Sequence, residues 1–276
     1  MRFRPVVVVL VLSLMPVSAQ AFKGPKSELI DPRWLQHEAQ STAVVDHGPW
    51  AEFLKTYLLE GADGVNRLRY GAVTPADKAA LDNYVVRLET TPVSTLNRNE
   101  QMAYWFNLYN AVTVKIVIEA YPVKSIRKVL SGGFFSPGPW KRDLVTVEGQ
   151  RLSLDDIEHG IMRPIWQDNR IHYGVNCASI GCPNLAPVPF TADRLEAMLD
   201  KAARDYVNHP RAATFDDRGR LTASQIYDWY DPDFGGSERG IIAHLKRYAG
   251  PELTARLGTV EDIRDYEYDW SLNDAD

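Results

Sequence analysis

The chain has 276 residues, 45% of them apolar and 11% aromatic, with a formal charge of −5. This composition fills a globular core and excludes a disordered chain. An acidic balance without a basic run leaves no electrostatic footprint for nucleic acid, and nucleic acid is not expected as a partner.

The opening stretch, MRFRPVVVVLVLSLMPVSAQA, has the three parts of an export leader. Arg2 and Arg4 make the positive region, Val6 to Met15 the apolar run, and Ala19-Gln20-Ala21 the small-residue cleavage site. The apolar run, about 10 residues, is half of the roughly 20 needed to cross a bilayer. Cleavage after Ala21 is expected, with no stable membrane span afterwards and a periplasmic or secreted location. The remaining 255 residues then carry a formal charge of −7, because Arg2 and Arg4 leave with the leader.

Residues 22–47 read as an irregular N-terminal arm, and 48–276 as a single α+β domain. Pro49 opens a helix with Trp50, Phe53, Leu54, Tyr57 and Leu58 on one stripe. Thr74 with Pro75 starts a second, burying Leu81, Tyr84, Val85 and Leu88. Asn97 and Glu100 are spaced as a capping box for a third, which Pro122 stops. That third helix is apolar on nearly every side, so it belongs in the middle of the domain. Asn107 and Asn110, three apart on it, are buried amides that need partners from the protein, from water or from a ligand.

The Gly/Pro-rich segment Gly132 to Trp140 reads as a loop and a possible lid. A short hairpin follows, turning at Glu148-Gly149. Ser153 and Asp156 then cap a helix ending at Pro164, with Leu154, Ile157 and Ile161 as its core stripe. Glu158 and His159 are neighbours on it and are expected on different faces, one of them reaching the interior. Further on come a helix from Thr191 to Tyr206, a hairpin around Asp217-Arg218-Gly219, and a helical turn with Ile226, Trp229 and Tyr230. A helix from Ser237 to Tyr248 and a strand alternating Tyr266, Tyr268, Trp270 and Leu272 complete the pattern. Asp228, Asp231 and Asp233 read as a solvated turn, since the downstream glutamate of a calcium loop is missing. The expected architecture is a long buried central helix, surrounding helices and a small, mostly antiparallel sheet.

Asp168 to Pro183, DNRIHYGVNCASIGCP, holds both cysteines of the chain. Ile171, Tyr173 and Val175 alternate with His172, Gly174 and Asn176, the period of a half-buried strand. The strand would lead into a loop of small residues, with His172 and Asn176 on one face and Cys177 at the exit. Backbone amides of that loop could then approach an anion.

Three chemistries fit these residues. Two cysteines at C-x4-C spacing in an exported chain suggest a disulfide. Such a short loop gains only about 2 kcal/mol from closure, so a bridge would serve to shape a site. Alternatively, Cys177 is a nucleophile with His159 or His172 as base and Glu158 beside them. Zinc ligation by Glu158, His159, His172 and Cys177 is the third, without H-E-x-x-H or C-x2-C spacing, and no metal or cofactor is expected. The layout is similar to that of papain-like folds, but the helix start that carries their nucleophile offers only Asn97, Arg98 and Asn99.

The phrases AYWFNLYNAVTVKIV, SLDDIEHGIMRP, DNRIHYGVNCASIGCP, LTASQIYDWYDPDFG and YDWSLN together resemble the domain of unknown function 547, a family of bacteria and plants. They span roughly Asn99 to Asn273 in the family's order. The resemblance picks out Asn107, Asn110, Glu158, His159, His172, Asn176, Cys177, Ser179, Cys182 and Pro183. It departs at Ala178, where the family usually has glycine. It implies neither reaction nor cofactor. The expectation is a cleft between the His172 strand and the Cys177–Cys182 loop that binds a small molecule or peptide, with Asn107, Asn110, Asn176, Ser179 and Cys182 as binding residues. A thiol-dependent hydrolase or transferase using Cys177, His172, His159 and Glu158 is the alternative.

Overall fold

Caps and prolines set the starts of the first three helices where the sequence places them; the helix expected from Thr191 instead begins at Leu195, after Arg194 and without a side-chain cap. The computed structural model describes residues 24–130 and 138–275; the expected leader and most of the Gly/Pro-rich loop lie outside these. Helix α1, Gly48–Tyr57, has Pro49 in its first turn and buries Trp50, Phe53, Leu54 and Tyr57. A hairpin of β1, Leu58–Glu60, and β2, Asn66–Leu68, follows. In α2, Pro75–Glu89, the Thr74 side chain accepts from the Asp77 N–H.

The central helix α3, Arg98–Ala120, is buried almost throughout from Glu100 to Val117. Only half of its capping box forms. Asn97 Oδ1 accepts from the Glu100 N–H at 3.0 Å, but Glu100 Oε1 accepts from the Val45 N–H at 2.7 Å. The carboxylate thus ties the N-terminal arm to the central helix. Strands β3, Val145–Val147, and β4, Gln150–Leu152, pair across Glu148 and Gly149, both at positive φ, as a two-residue hairpin requires.

The remaining helices are α4, Arg163–Trp166, α5, Ile171–Gly174, α6, Leu195–Val207, α7, Gln225–Trp229, α8, Glu238–Tyr248, and α9, Pro251–Leu257. The fold is α+β, but the strands form three separate small sheets. The third is mixed: β6, Leu221–Ser224, pairs antiparallel with β5, Ala213–Phe215, and parallel with β7, Asp265–Glu267. The C-terminal strand is therefore shorter than its alternation suggests, and Tyr268 and Trp270 lie beyond it.

Residues 171–174 are a helical turn, not a strand. The Asp168 carboxylate accepts from the Arg170 N–H at 2.8 Å, and the Val175 N–H closes the turn on the Ile171 carbonyl at 3.1 Å. The misleading alternation has a physical cause. The buried apolar side chains form two clusters, one around α3 and one around α6, β6 and α8. Ile171 and Val175, four apart, pack in the first, and Tyr173 packs in the second. A helical turn gripped from both sides shows apolar residues at every other position, as a strand does.

Candidate functional site

Ser153 and Asp156 form the reciprocal cap that their spacing predicts. The Asp156 N–H donates to Ser153 Oγ at 3.1 Å, and the Ser153 N–H donates to Asp156 Oδ2 at 2.9 Å. Pro164 does not break the helix here; it widens it. Asp156–Met162 is a π-helix running directly into α4. Proline has no N–H, so the carbonyls four and five residues earlier, Gly160 and His159, lose their helical donors. The N-terminal arm supplies the replacements: Glu28 N–H donates to the His159 carbonyl and Ile30 N–H to the Gly160 carbonyl, each at 3.1 Å. The wider turn brings Glu158 and His159 both inside, at 5% exposure each, where an α-helix would have separated them.

His172 faces two carboxylates. Its Nδ1 lies 3.2 Å from Glu158 Oε1 and its Nε2 lies 2.7 Å from Asp233 Oδ2. Two acceptors require a proton on each nitrogen, so the ring is an imidazolium. Burial opposes that charge, but the hydrogen bonds to Asp233 and Glu158 outweigh it and raise the His172 pKa. Burial would likewise neutralise the carboxylates. His159, His172 and Arg163 hold Glu158 down to about 2, and His172 and Arg163 hold Asp233 well below the usual carboxylate range. Arg163 completes the cluster, its Nε donating to Asp233 Oδ2 at 2.6 Å. The ring of Tyr230 stacks on His172 at 4.4 Å and lies 4.9 Å beneath the Arg163 guanidinium.

His159 is the opposite case. Arg163 Nη1, which can only donate, lies 3.0 Å from Nδ1, so Nδ1 accepts and the proton sits on Nε2. Burial keeps the ring neutral, with its pKa lowered to about 4 against the pull of Glu158. Nε2 lies 3.8 Å from Asp155 Oδ1. Burial and the nearby Glu158 raise the Asp155 carboxyl to about 6.

The two cysteines are free thiols, not at disulfide distance, which corrects the expected bridge. The Cys177 N–H instead donates to Cys182 Sγ at 3.1 Å. Cys177 Sγ lies 3.2 Å from Ser179 Oγ and 3.0 Å from the Tyr268 hydroxyl, and those two oxygens are 2.7 Å apart. Hydrogen bonding by the Cys182 thiol lowers the Cys177 pKa against burial, and Ser179 and Tyr268 reinforce it. Burial drives the Cys182 thiol well up. Ala178 adopts φ 54°, so the loop makes its left-handed turn despite the missing glycine. Most of its amides are engaged within the protein and not open to an anion. Those of Ala178, Ile180, Gly181 and Cys182 donate to Asn176 Oδ1 and to the carbonyls of Ser271, Asp269 and Ser179.

The asparagines hold backbone. Asn107 bonds both N–H and C=O of Phe190, at 3.0 and 2.8 Å. Asn110 donates to the Gly174 carbonyl at 2.9 Å and accepts from the Asn176 N–H at 2.8 Å. Asn176 donates to the Pro183 carbonyl at 2.8 Å and accepts from the Ala178 N–H at 2.9 Å. Asn110 and Asn176 shape the loop, Asn107 holds the segment at Phe190, and none of the three lines the cavity. Ser179, 1% exposed, acts on that cavity only through Cys177 and Tyr268.

That cavity, about 730 Å³, brings together Asp155, Glu158, His159, His172, Cys177 and Cys182. Facing them are Trp140, Trp229, Tyr268 and Trp270, which pack ring against ring: Trp140 with Trp270 at 5.7 Å, Trp229 with Tyr268 at 5.0 Å, and Tyr268 with Trp270 at 4.6 Å. Residues 93–207 match the model of DUF547, a protein family of unknown function. The DUF547 segment, under half of the chain, contributes Glu158, His159, His172 and both cysteines, whereas Tyr230, Asp233, Tyr268 and Trp270 come from beyond it. No curated protein and no solved structure matches the chain.

Asp155, Arg163, Asp233 and the aromatic wall are not among the site residues the sequence singles out. Asp233 belongs to this ion cluster and not to a solvated turn; the phrases DWYDPDFG and YDWSLN carry the signal for it and for Trp229 and Trp270. Among the described residues, no group of three or more His, Cys, Asp or Glu side chains is arranged to hold a metal ion, and no helix is long and apolar enough to cross a membrane. Arg163 occupies the place beside His172 and Asp233 where a cation would sit.

Proposed function

We propose that this is an exported protein whose cleft binds a ring-bearing small molecule or peptide segment. The aromatic wall of Trp140, Trp229, Tyr268 and Trp270 carries the reading. Exposed faces of adjoining rings are surfaces for flat apolar groups, while fixed polar side chains opposite give orientation. The expected leader supports export to the periplasm or the exterior. Acetophenone, a neutral ring probe, should change the fluorescence of the cleft tryptophans in a saturable way, and Trp270→Ala should weaken its binding about tenfold. Unsaturable, Trp270-independent quenching would end the proposal.

A second reading, thiol-dependent hydrolysis or transfer, is favoured by the lowered pKa of the half-buried Cys177. Its sulfur would attack an acyl carbon, forming a thioester as the leaving group departs. The Tyr268–Ser179 hydroxyl pair would carry the thiol proton to that group. Neither histidine suits the role of base. His172 carries protons on both nitrogens, and the lone pair of His159 is held by Arg163.

A further inference from the structure

Most polar groups in the cleft have their partners within the protein. His172 and Glu158 face each other, and Cys177 is bonded to Ser179 and Tyr268. Two groups differ, one on the π-helix and one just before it. The His159 side chain is 6% exposed, yet its Nε2–H has no hydrogen-bond acceptor among the described residues closer than Asp155 Oδ1 at 3.8 Å. The Asp155 carboxylate, 19% exposed, has no hydrogen-bond donor among them. Both residues line the cavity. The Nε2–H is not sealed inside the protein but faces the cavity, so its hydrogen-bond partner has to come from there.

The pair is a donor and an acceptor side by side. Arg163 on Nδ1 forces the proton of His159 onto Nε2, and the neutral ring cannot offer a second N–H. Asp155, once ionised, can only accept.

Resting on the ring-binding reading above, we propose that Asp155 and His159 form a subsite for a carboxamide edge: the ligand's C=O accepts from His159 Nε2–H while its N–H donates to Asp155. The two ligand atoms must lie on the same edge. Bond lengths of 1.23 and 1.33 Å place the oxygen and nitrogen of an amide about 2.3 Å apart, so two hydrogen bonds can fan out to protein atoms 3.8 Å apart. A primary carboxamide or a lactam presents both groups on one edge. A trans peptide bond points them in opposite directions and does not fit. A carboxylate offers no proton to Asp155 and is repelled by it.

The test compares benzamide, isoindolin-1-one, acetophenone and benzoate by tryptophan fluorescence and calorimetry at pH 8. Benzamide supplies the open carboxamide and isoindolin-1-one the lactam; acetophenone accepts but cannot donate. At least one amide is expected to bind tenfold or more tightly than acetophenone and benzoate, and the tighter of the two names the source. In Asp155→Leu, which removes the acceptor and is checked by its melting temperature for an intact fold, that advantage should vanish while acetophenone binding persists. Equal binding of both amides and acetophenone to the unaltered protein overturns the subsite and leaves the ring-binding reading standing. An amide advantage that survives Asp155→Leu overturns it as well. Binding of none of the four overturns both.

Discussion

His172 Nε2 and Asp233 Oδ2 are 2.7 Å apart across 61 residues of sequence. The contact joins α5 to the 3-10 turn at Asp231–Phe234 and spans the seam between the two core clusters. Arg163 from α4 shares the same oxygen. One carboxylate thus satisfies two buried cations.

Asp233→Ala removes the anion from both. Breaking a buried ion pair by deleting one partner costs about 3–5 kcal/mol, because the remaining charge stays buried. Urea denaturation should show a loss of that order, with Asp233→Asn intermediate. A loss below about 1 kcal/mol, the level of a surface pair, would show that solvent already screens the cluster.

Asn110→Leu should destabilise the fold, not act on a ligand directly. It leaves the Gly174 carbonyl and the Asn176 N–H without partners, each worth about 1–3 kcal/mol when buried. A melting temperature within a degree of the parent would mean that water replaces the amide.

Alkylation of the native protein with iodoacetamide should modify Cys177 well before Cys182. The opposite pKa shifts of the two thiols set that order, as does the burial of Cys182. Tyr268→Phe and Ser179→Ala should each move the inflection of the Cys177 rate upward in pH by removing a hydrogen bond to the thiolate. His159→Gln should leave it nearly in place. A large shift with His159→Gln and none with Tyr268→Phe would reverse the assignment.

Stability should fall on acidification from pH 6.5 towards 4.5. Burial holds His47, His159 and His244 at about 4 in the folded chain. Between about 6.5, the ordinary histidine value, and 4, the unfolded chain takes up protons there that the folded chain refuses, so acid favours unfolding. Asp155, raised to about 6 by burial, and Glu100, raised by burial, act in the opposite direction. His172, raised in the folded chain, contributes its stabilisation in full only below the ordinary histidine value and loses it as pH rises through the raised one, so it does not oppose folding in this window. The contributions of Glu158 and Asp233 are lost only below about 4, where carboxylates of the unfolded chain protonate. The melting temperature should therefore drop steadily through the window, and a flat or rising profile would show that these histidines are charged in the folded state.

Local chemistry was legible in the sequence wherever a few neighbouring residues suffice. Pro49, Thr74, Asn97 and the Ser153–Asp156 pair mark helix starts because caps act within one turn. The all-round apolar face of α3 announced its burial. The stretch from His172 to Cys182 could be singled out because it concentrates a histidine and both cysteines. Three things depended on residues far away in the chain. Whether 171–174 is strand or helix was decided by the two clusters that enclose it, because a five-residue alternation satisfies either form. Whether Glu158 and His159 share a face was decided by Pro164 together with the arm segment whose Glu28 and Ile30 amides answer the freed carbonyls. Whether Asn110 meets a ligand or a backbone was decided by Gly174 and Asn176, brought beside it by the close approach of Gly174 to Phe106, where a Cβ would lie 2.3 Å from the ring. A side chain's type fixes what it can bond, but burial fixes which bonds are compulsory, and burial arises only when distant segments meet.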